Sequence, residues 1–280
     1  MKLSTNLIRF HEAFGLLRTI DIYAEAGYEA IDFNTDLEEY HTDAHDRAFY
    51  AQIRTYAVDR GIVFSQSHAP FPSSFFEKEK TALRFEQILR GMTHAAWLGS
   101  EMIVVHPCTR IPGEEAPDNA ALLAYNVDFY KRLLPHAREL GIQIAIENIS
   151  GSITQTPEGL LALLELLDDP VFTVCYDVGH ANFTGIDPTD AIRLLGNRIG
   201  CTHIHDNNGV QDQHTLPFWG TICWEAVMKA FAQIGYTGNL SFEAGCFVNN
   251  VPEQLRPKSA AYMAEIGRYL IDRFHFFQSN

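Results

Sequence analysis

Six short apolar runs in this chain each end at a residue that can bind a metal ion. These residues are His68, His106, Glu147, Asp177, His203 and Glu243. Their mean spacing is (243 − 68)/5 = 35 residues, and the chain length divided by eight, 280/8, is also 35. Nitrogen and carboxylate oxygen donors together suit Zn²⁺, Mn²⁺, Fe²⁺ or Co²⁺. The pattern therefore predicts a metal site built from the ends of separate strands.

Three further residues extend this donor set: His180, Asp212 and His214. Each part of the set also has a simpler explanation, because Asp177 could cap a following helix and Asp212 could lie in a solvated loop. Carboxylates gathered in a dry barrel mouth would nevertheless repel one another unless a cation were present. We therefore favour a metal site over the separate structural explanations.

The remaining histidines fall into two groups. His205 follows His203 by two residues, so both side chains point to the same face of the strand. This position suits either a hydrogen-bond donor behind the ligands or a substrate contact. The others have no partner pattern and are interpreted as structural: His11, His41, His45, His94, His136 and His275.

Segments of helical length separate the apolar runs, and a glycine typical of helix ends precedes most of the runs. The predicted helices are Phe14–Ala26, Ala44–Arg60, Thr81–Leu98, Asn119–Leu140, Pro157–Leu167, Pro188–Leu195, Trp224–Ile234 and Gln254–Phe274. Two more strands, Lys2–Asn6 and Tyr28–Asn34, bring the predicted strands to eight.

Eight strands that alternate with eight helices predict a parallel sheet with right-handed crossovers. The even spacing and the ligands at strand ends favour a single (β/α)8 TIM barrel, an α/β fold, over residues 1–280. Its metal site would lie at the C-terminal ends of the strands, where the active sites of such barrels are built. The long loops Pro70–Lys80, Thr109–Asp118 and Asn207–Thr221 would then line the mouth of the site.

Composition narrows the choice of partners. The net charge of 21 − 35 = −14 argues against a nucleic-acid partner held by a basic surface. The five cysteines form no C-x-x-C pair, which is typical of a reduced, cytoplasmic protein. The sequence has no signal peptide or long apolar span, so we expect no membrane contact. It leaves open whether the chain forms a homo-oligomer.

The motifs at the strand ends resemble those of the xylose-isomerase-like TIM barrel superfamily. That group contains sugar and sugar-phosphate isomerases and epimerases, inosose dehydratases and the class II apurinic endonucleases. The resemblance covers about residues 27–243. In order, the motifs are Ser67-His68-Ala69-Pro70, Val105-His106-Pro107, Ile146-Glu147-Asn148, Tyr176-Asp177-Val178-Gly179-His180, His203-Ile204-His205-Asp206-Asn207, Asp212-Gln213-His214 and Phe242-Glu243.

The resemblance implies two different site chemistries. In the epimerases of the group, the residues matching Glu147, Asp177, His203 and Glu243 hold one divalent metal, and the two glutamates remove and return a proton. His180 matches a histidine that contacts a substrate oxygen. In the endonucleases, three zinc ions take nine ligands, and all nine have counterparts here: His68, His106, Glu147, Asp177, His180, His203, Asp212, His214 and Glu243. Phe71 matches an aromatic residue that wedges into DNA.

Two departures from the family pattern concern the substrate. Where the family often has Pro-Gly-x-Gly, this chain has Pro217-Phe218-Trp219-Gly220, and we expect bulky Phe218 and Trp219 to narrow the loop against a long ligand. The loop Asp206–Gln213 lacks the arginine that contacts substrate in tagatose epimerases. Arg110 is the best remaining cation for an anionic group, although a surface role is its more ordinary explanation. The candidate substrate contacts are Phe71, Arg110, His180, His205 and Trp219.

These observations favour a metal-dependent isomerase or epimerase of a small sugar, sugar phosphate or cyclitol ketone. Proton transfer by Glu147 and Glu243 through a metal-stabilised enediolate would be its chemistry. The expected cofactor is one to three ions of Zn, Mn, Co or Mg. The alternatives are a three-zinc phosphodiesterase acting on abasic DNA, an inosose-type dehydratase, and a barrel that binds metal or ligand without catalysis.

Overall fold

A computed structural model describes residues 1–40 and 44–279, and it contains one sheet of eight parallel strands. Neighbouring strands follow the chain order from β1 to β7, and β8 pairs with the other side of β1. The strands are β1 Leu3–Asn6, β2 Ala30–Asn34, β3 Val63–His68, β4 Met102–Val105, β5 Gln143–Glu147, β6 Phe172–Asp177, β7 Ile199–His203 and β8 Leu240–Phe242. His41 lies outside the described residues.

Helices follow the strands and surround the sheet, which makes the (β/α)8 TIM barrel predicted from the spacing. The α-helices are α1 Ile8–Phe14, α2 Leu16–Ala26, α3 Arg47–Val58, α4 Lys78–Leu98, α5 Asn119–Leu140, α6 Pro157–Leu167, α7 Val178–Phe183, α8 Pro188–Leu195, α9 Trp224–Gln233 and α10 Arg256–Ser279. Short 3₁₀ turns cover Glu38–Tyr40, Gly196–Arg198, Gly245–Val248 and Glu253–Leu255.

Local sequence signals explain the helices whose bounds were predicted correctly. The Thr156 side chain accepts a hydrogen bond from the Gly159 N–H ahead of α6, and Asp187 accepts from two N–H groups at the start of α8. Gly141 ends α5 with a left-handed φ of 68°. The first predicted helix differs, because Gly15 with φ 72° separates α1 from α2. The short helix α7 was not predicted.

The barrel closes between β7 and β8 through a narrow seam. Among the described residues, the two strands meet at one parallel bridge, Ile204 to Phe242. The Ile204 N–H donates to the Ser241 carbonyl at 2.8 Å, and the Glu243 N–H donates to the Ile204 carbonyl at 3.1 Å. The seam therefore lies between His203 and Glu243 at the C-terminal end of the barrel.

The hydrophobic core lies mainly between the strands and the helices. A smaller cluster formed by Val104, Ala145, Cys175 and Cys201 is completely enclosed. Cys175 and Cys201 thus behave as small apolar residues, as predicted. Among the described helices, none combines the length and apolar character needed to cross a bilayer.

Candidate metal centre and active site

The six predicted donors lie together at the C-terminal end of the barrel. His68, Glu147, Asp177 and His203 are the last residues of β3, β5, β6 and β7. His106 and Glu243 directly follow β4 and β8. Since parallel strands present these ends to one edge, residues far apart in sequence converge on a single site.

The centre of the site is the set Glu147, Asp177, His203 and Glu243. One ligand atom from each lies within 4.8 Å of the others. The His203 Nδ1 is 3.0 Å from Glu147 Oε1 and 3.4 Å from Glu243 Oε2. Three carboxylates and one imidazole form the mixed donor set that Zn²⁺ and Mn²⁺ accept.

A buried oxygen of Glu147 also fits a cation. Its Oε2 lies 3.0 Å from His106 Nε2 and 3.5 Å from His68 Nε2, but this buried oxygen accepts no well-aligned hydrogen bond from the described residues. An unpaired carboxylate oxygen is costly inside a protein. The residues present therefore fit a divalent ion.

Further donor groups flank the central one. His68 and His106 converge with Glu147 on one side, and His68 also groups with His203 and Glu243. On the other side, Asp212 Oδ2 lies 3.0 Å from His214 Nε2 and 3.4 Å from His180 Nε2, and His205 completes that group. The nine residues predicted from the sequence are thus brought together, with His205 in addition.

Charges within the site compensate one another. Burial lowers the pKa of His180, but Asp177 and Asp212 outweigh it and raise the pKa to about 10. Burial likewise opposes the ionised form of Asp177, yet His180 and His205 lower its pKa to about 2. Burial lowers the pKa of His106 despite the nearby Glu147. A cation bound here would replace protons on the histidines, so metal binding would release protons.

Asn148 and Thr154 hold the backbone of Asp177 and Glu147 in place. The Asn148 amide donates to the Asp177 carbonyl at 2.8 Å and accepts from the Asp177 N–H at 2.7 Å. The Thr154 hydroxyl donates to the Glu147 carbonyl at 2.7 Å. Asp177 also caps α7 by accepting from the His180 N–H at 2.7 Å. The capping interpretation of Asp177 is therefore confirmed alongside its place among the donors.

A cavity of about 230 Å³ opens over the donors. The Phe71 ring stacks on His106 with ring centroids 4.6 Å apart. Arg110 and Trp219 do not line the cavity, and His205 lies fully buried behind Asp177, to which its Nε2 is 3.0 Å away. The lining residues are His68, Phe71, His106, Glu147, Ile149, Ser150, His180, Asp212, His214 and Glu243.

Phe218 and Trp219, in the loop after β7, do not narrow the mouth of the cavity as the sequence predicted. Phe218 contacts Tyr269 of α10, and Trp219 contacts Phe247, so both half-exposed rings pack away from the cavity. Buried Asp206 explains this arrangement. Its carboxylate accepts from the Phe218 and Ile222 N–H groups and from Trp224 Nε1, which draws the loop backbone inwards.

Asp32 of β2 is a charged residue of this site that the sequence reasoning missed, as it missed Ile149 and Ser150 of the cavity lining. It is buried, and its Oδ2 lies 3.0 Å from His203 Nε2. The available signal was a carboxylate in the middle of an otherwise apolar strand, where charged side chains are rarely buried without a partner. That signal was overlooked because Asp32 does not end its strand.

Comparison with known proteins agrees with the barrel fold. A family model described as xylose isomerase-like TIM barrel matches residues 20–266. The chain belongs to that family. The resemblance recognised from the strand-end motifs is therefore confirmed.

Individual proteins that this chain resembles differ from it widely in sequence. An uncharacterized protein of Methanocaldococcus jannaschii is 34% identical over 195 residues, or 66% of each chain. A D-psicose 3-epimerase of Agrobacterium fabrum is 25% identical over 235 residues, which cover 80% of this chain and 77% of the epimerase. The crystal structure of the IOLI protein with a bound zinc atom has a TM-score of 0.80 at 20% identity and covers 99% of both chains. This last likeness is one of fold.

Proposed function

We propose that the protein is a divalent-metal-dependent isomerase or epimerase of a small carbohydrate or cyclitol ketone. One observation carries the proposal: four donor atoms converge within 4.8 Å, and two of them belong to glutamates that line a cavity of about 230 Å³. The similarity to a D-psicose 3-epimerase supports the same reaction class.

Glu147 and Glu243 are the proposed catalytic residues. Both lie near His203 Nδ1, so both can face a substrate carbon placed in the cavity. One carboxylate would remove the proton next to the carbonyl, and the other would return a proton to the opposite face. A divalent ion at Glu147, Asp177, His203 and Glu243 would supply stabilisation of the negative charge that develops on the substrate oxygens.

The cavity favours an uncharged substrate over a sugar phosphate. Among the described residues that line it, none is a lysine or arginine, whereas Glu147, Asp212 and Glu243 are acidic. A phosphate group would meet these carboxylates with no lysine or arginine in the lining to pair with it. His180 is the proposed donor to a substrate oxygen, and the exposed face of Phe71 is the proposed contact for the C–H face of a sugar.

The proposal predicts exchange of substrate hydrogen with solvent. Free ketoses, their phosphates and an inosose are incubated with metal-loaded protein in D₂O, and deuterium next to the carbonyl is measured by NMR. Glu147→Gln and Glu243→Gln should each slow exchange by about 100-fold or more. Glu225→Gln is the matched control, because Glu225 pairs with Arg273 and Tyr269 away from the cavity.

The outcomes of this experiment separate the proposal from its alternatives. Absence of deuterium in every compound would exclude the enolisation chemistry. Exchange that survives Glu147→Gln would exclude Glu147 as a catalytic residue. Deuterium exchange accompanied by loss of water from the inosose would assign a dehydratase, which shares the proton-abstraction step.

The second candidate is a phosphodiesterase with three metal ions that cleaves abasic DNA. The observation in its favour is the clustering of donors on both sides of the central set. The net charge of −14 and the acidic cavity oppose a DNA ligand. Protein purified without added metal should contain about one equivalent under the leading proposal and about three under this one. Cleavage of abasic duplex DNA that His106→Ala and His214→Ala abolish would reverse the ranking.

A further inference from the structure

Asp32 lies directly behind one of the proposed metal ligands. It is only 1% exposed, and its Oδ2 accepts hydrogen bonds from His203 Nε2 at 3.0 Å and from Gln66 Nε2 at 2.8 Å. His203 is equally buried, so its ring is fixed by this contact and by the carboxylates on its other side. The edge of the imidazole opposite Asp32 carries Nδ1, which faces Glu147 and Glu243.

We infer that Asp32 is a positioning residue that orients His203 so that its Nδ1 serves as the metal-binding atom. The His203 Nδ1 also faces a carboxylate, Glu147 Oε1 at 3.0 Å, so an ion among the central donors would take the place of a proton on that side of the ring. Asp32, whose ionised carboxylate only accepts hydrogen bonds, would then keep the remaining proton on Nε2. The lone pair then lies on Nδ1, within the central donor group. Carboxylates that orient metal-binding histidines in this manner also make the ligand more basic.

The local strand geometry delivers Asp32 to this position. The pairing of β2 with β3 shifts between Ile31 and Asp32, so Ile31 is opposite Phe64 while Asp32 is opposite Gln66. Such an irregularity re-aims a side chain and is common near active sites. It places the Gln66 amide beside Asp32, and this amide donates to the same Oδ2 that accepts from His203.

The burial of Asp32 is difficult to explain by stability alone. Its Oδ1 is buried without a hydrogen-bond partner among the described residues. A partly satisfied buried carboxylate costs free energy, and apolar replacements at such positions are often at least as stable. A role in the site accounts for the charge, and this inference rests on the proposed function only in requiring that the site bind a divalent ion.

The first test measures Co²⁺ affinity by competition with a chromogenic chelator, together with the visible absorption spectrum of the Co²⁺ protein. The Asp32→Asn amide can face His203 in two ways. Its oxygen accepts the hydrogen bond from Nε2 without the negative charge, or its NH₂ group donates to Nε2 and the ring proton of His203 moves to Nδ1. Both arrangements should weaken Co²⁺ binding by about 10- to 100-fold and alter the d–d bands. The matched control is Thr173→Val, which removes a buried 2.8 Å hydrogen bond to the Arg198 carbonyl at the other end of the barrel.

A second measurement needs no variant and therefore does not depend on Asp32→Asn folding. In Zn²⁺-loaded wild-type protein labelled with ¹⁵N-histidine, His203 should be protonated at Nε2 and bound through Nδ1. Coordination through Nε2 would overturn the inference, as would a folded Asp32→Asn protein with wild-type Co²⁺ affinity and spectrum. Thr173→Val should retain both. A wild-type protein that binds neither ion would instead refute the proposed function and, with it, this role of Asp32.

Discussion

Gly179 packs against the ring of His205 so closely that a methyl group cannot fit. A Cβ added at Gly179 would lie 2.0 Å from His205 Cε1 and 2.3 Å from Nδ1. Ordinary contacts begin at 3.4 Å, so Gly179→Ala must displace the ring or α7 by about 1.4 Å. His205 cannot retreat easily, because it is fully buried and stacks on His214 with ring centroids 3.9 Å apart.

The displacement should affect both stability and the metal site. Overpacking of this kind costs about 1–3 kcal/mol in the free energy of unfolding. The same movement disturbs the contact between His205 Nε2 and the Asp177 carboxylate. Since loss of such a supporting contact weakens metal binding by about 10- to 100-fold, Gly179→Ala should lower both Tm and Zn²⁺ affinity.

Gly200→Ala separates the two effects. A Cβ at Gly200 would lie 2.5 Å from Thr173 Oγ1, which is also a steric clash, but it lies at the opposite end of β7 from His203. Thermal melting with a chelator present and Zn²⁺ competition titrations are measured for both variants. We expect both to melt at a lower temperature and only Gly179→Ala to lose Zn²⁺ affinity. A Gly179→Ala protein with wild-type affinity would refute the reasoning about His205.

Three other predictions concern the loops and caps that support the barrel. Asp206→Ala removes the acceptor of several N–H groups, including Trp224 Nε1. Thermal melting should show that the free energy of unfolding falls by about 2–4 kcal/mol. Asp187→Ala should cost about 1 kcal/mol at pH 7 because a helix cap is lost. Hydrogen bonds at that cap lower the folded-state pKa of Asp187. This stabilisation is present above the unfolded pKa of about 3.9 and is lost as pH falls through the folded value, so melting curves of variant and wild type should converge below about pH 4. Phe218 has φ 75°, a backbone conformation that costs a residue with a side chain about 1–2 kcal/mol. Phe218→Gly and Phe218→Ala both lose the contact with Tyr269, but only glycine relieves the backbone strain. The Tm of Phe218→Gly should therefore exceed that of Phe218→Ala.

Each of these predictions has a clear contrary result. A melting temperature of Asp206→Ala within about 2 °C of wild type would show that its hydrogen bonds contribute little. An Asp187→Ala difference that persists unchanged at acidic pH would mean that the carboxylate charge is not the stabilising feature. Equal melting temperatures for the two Phe218 variants would exclude backbone strain at that position.

The sequence predicted the barrel well because its signals are local and repeated. The bounds of α5, α6 and α8 matched, since residues within one turn of each end set them, such as the caps Thr156 and Asp187 and the left-handed Gly141. Six of the nine donors stand at strand ends, and they could be predicted because parallel strands bring their C-terminal ends to one edge. The direction of each strand therefore decided which residues could meet.

Other parts of the site depended on contacts that sequence spacing does not encode. Asp32 reaches His203 across 171 positions of the chain through a shift in strand pairing. The outward placement of Trp219 follows from hydrogen bonds that Asp206 makes with its own loop. Arg110 is exposed, and its backbone contacts Ser74 away from the cavity. None of these positions could be deduced from residue type and period alone.

The narrow seam between β7 and β8 gives the proposed ion a mechanical role as well as a chemical one. The two strands share one bridge at Ile204, while His203 and Glu243 stand on opposite sides of that junction. An ion held by both would join β7 to β8, the two strands at the ends of the sheet order, where the backbone joins neighbouring strands least. Local opening of the empty barrel should then begin here, and amide hydrogen exchange at Ile204 and Glu243 should slow when metal is added. Metal occupancy would thereby set the stability of the junction between β7 and β8 against local opening.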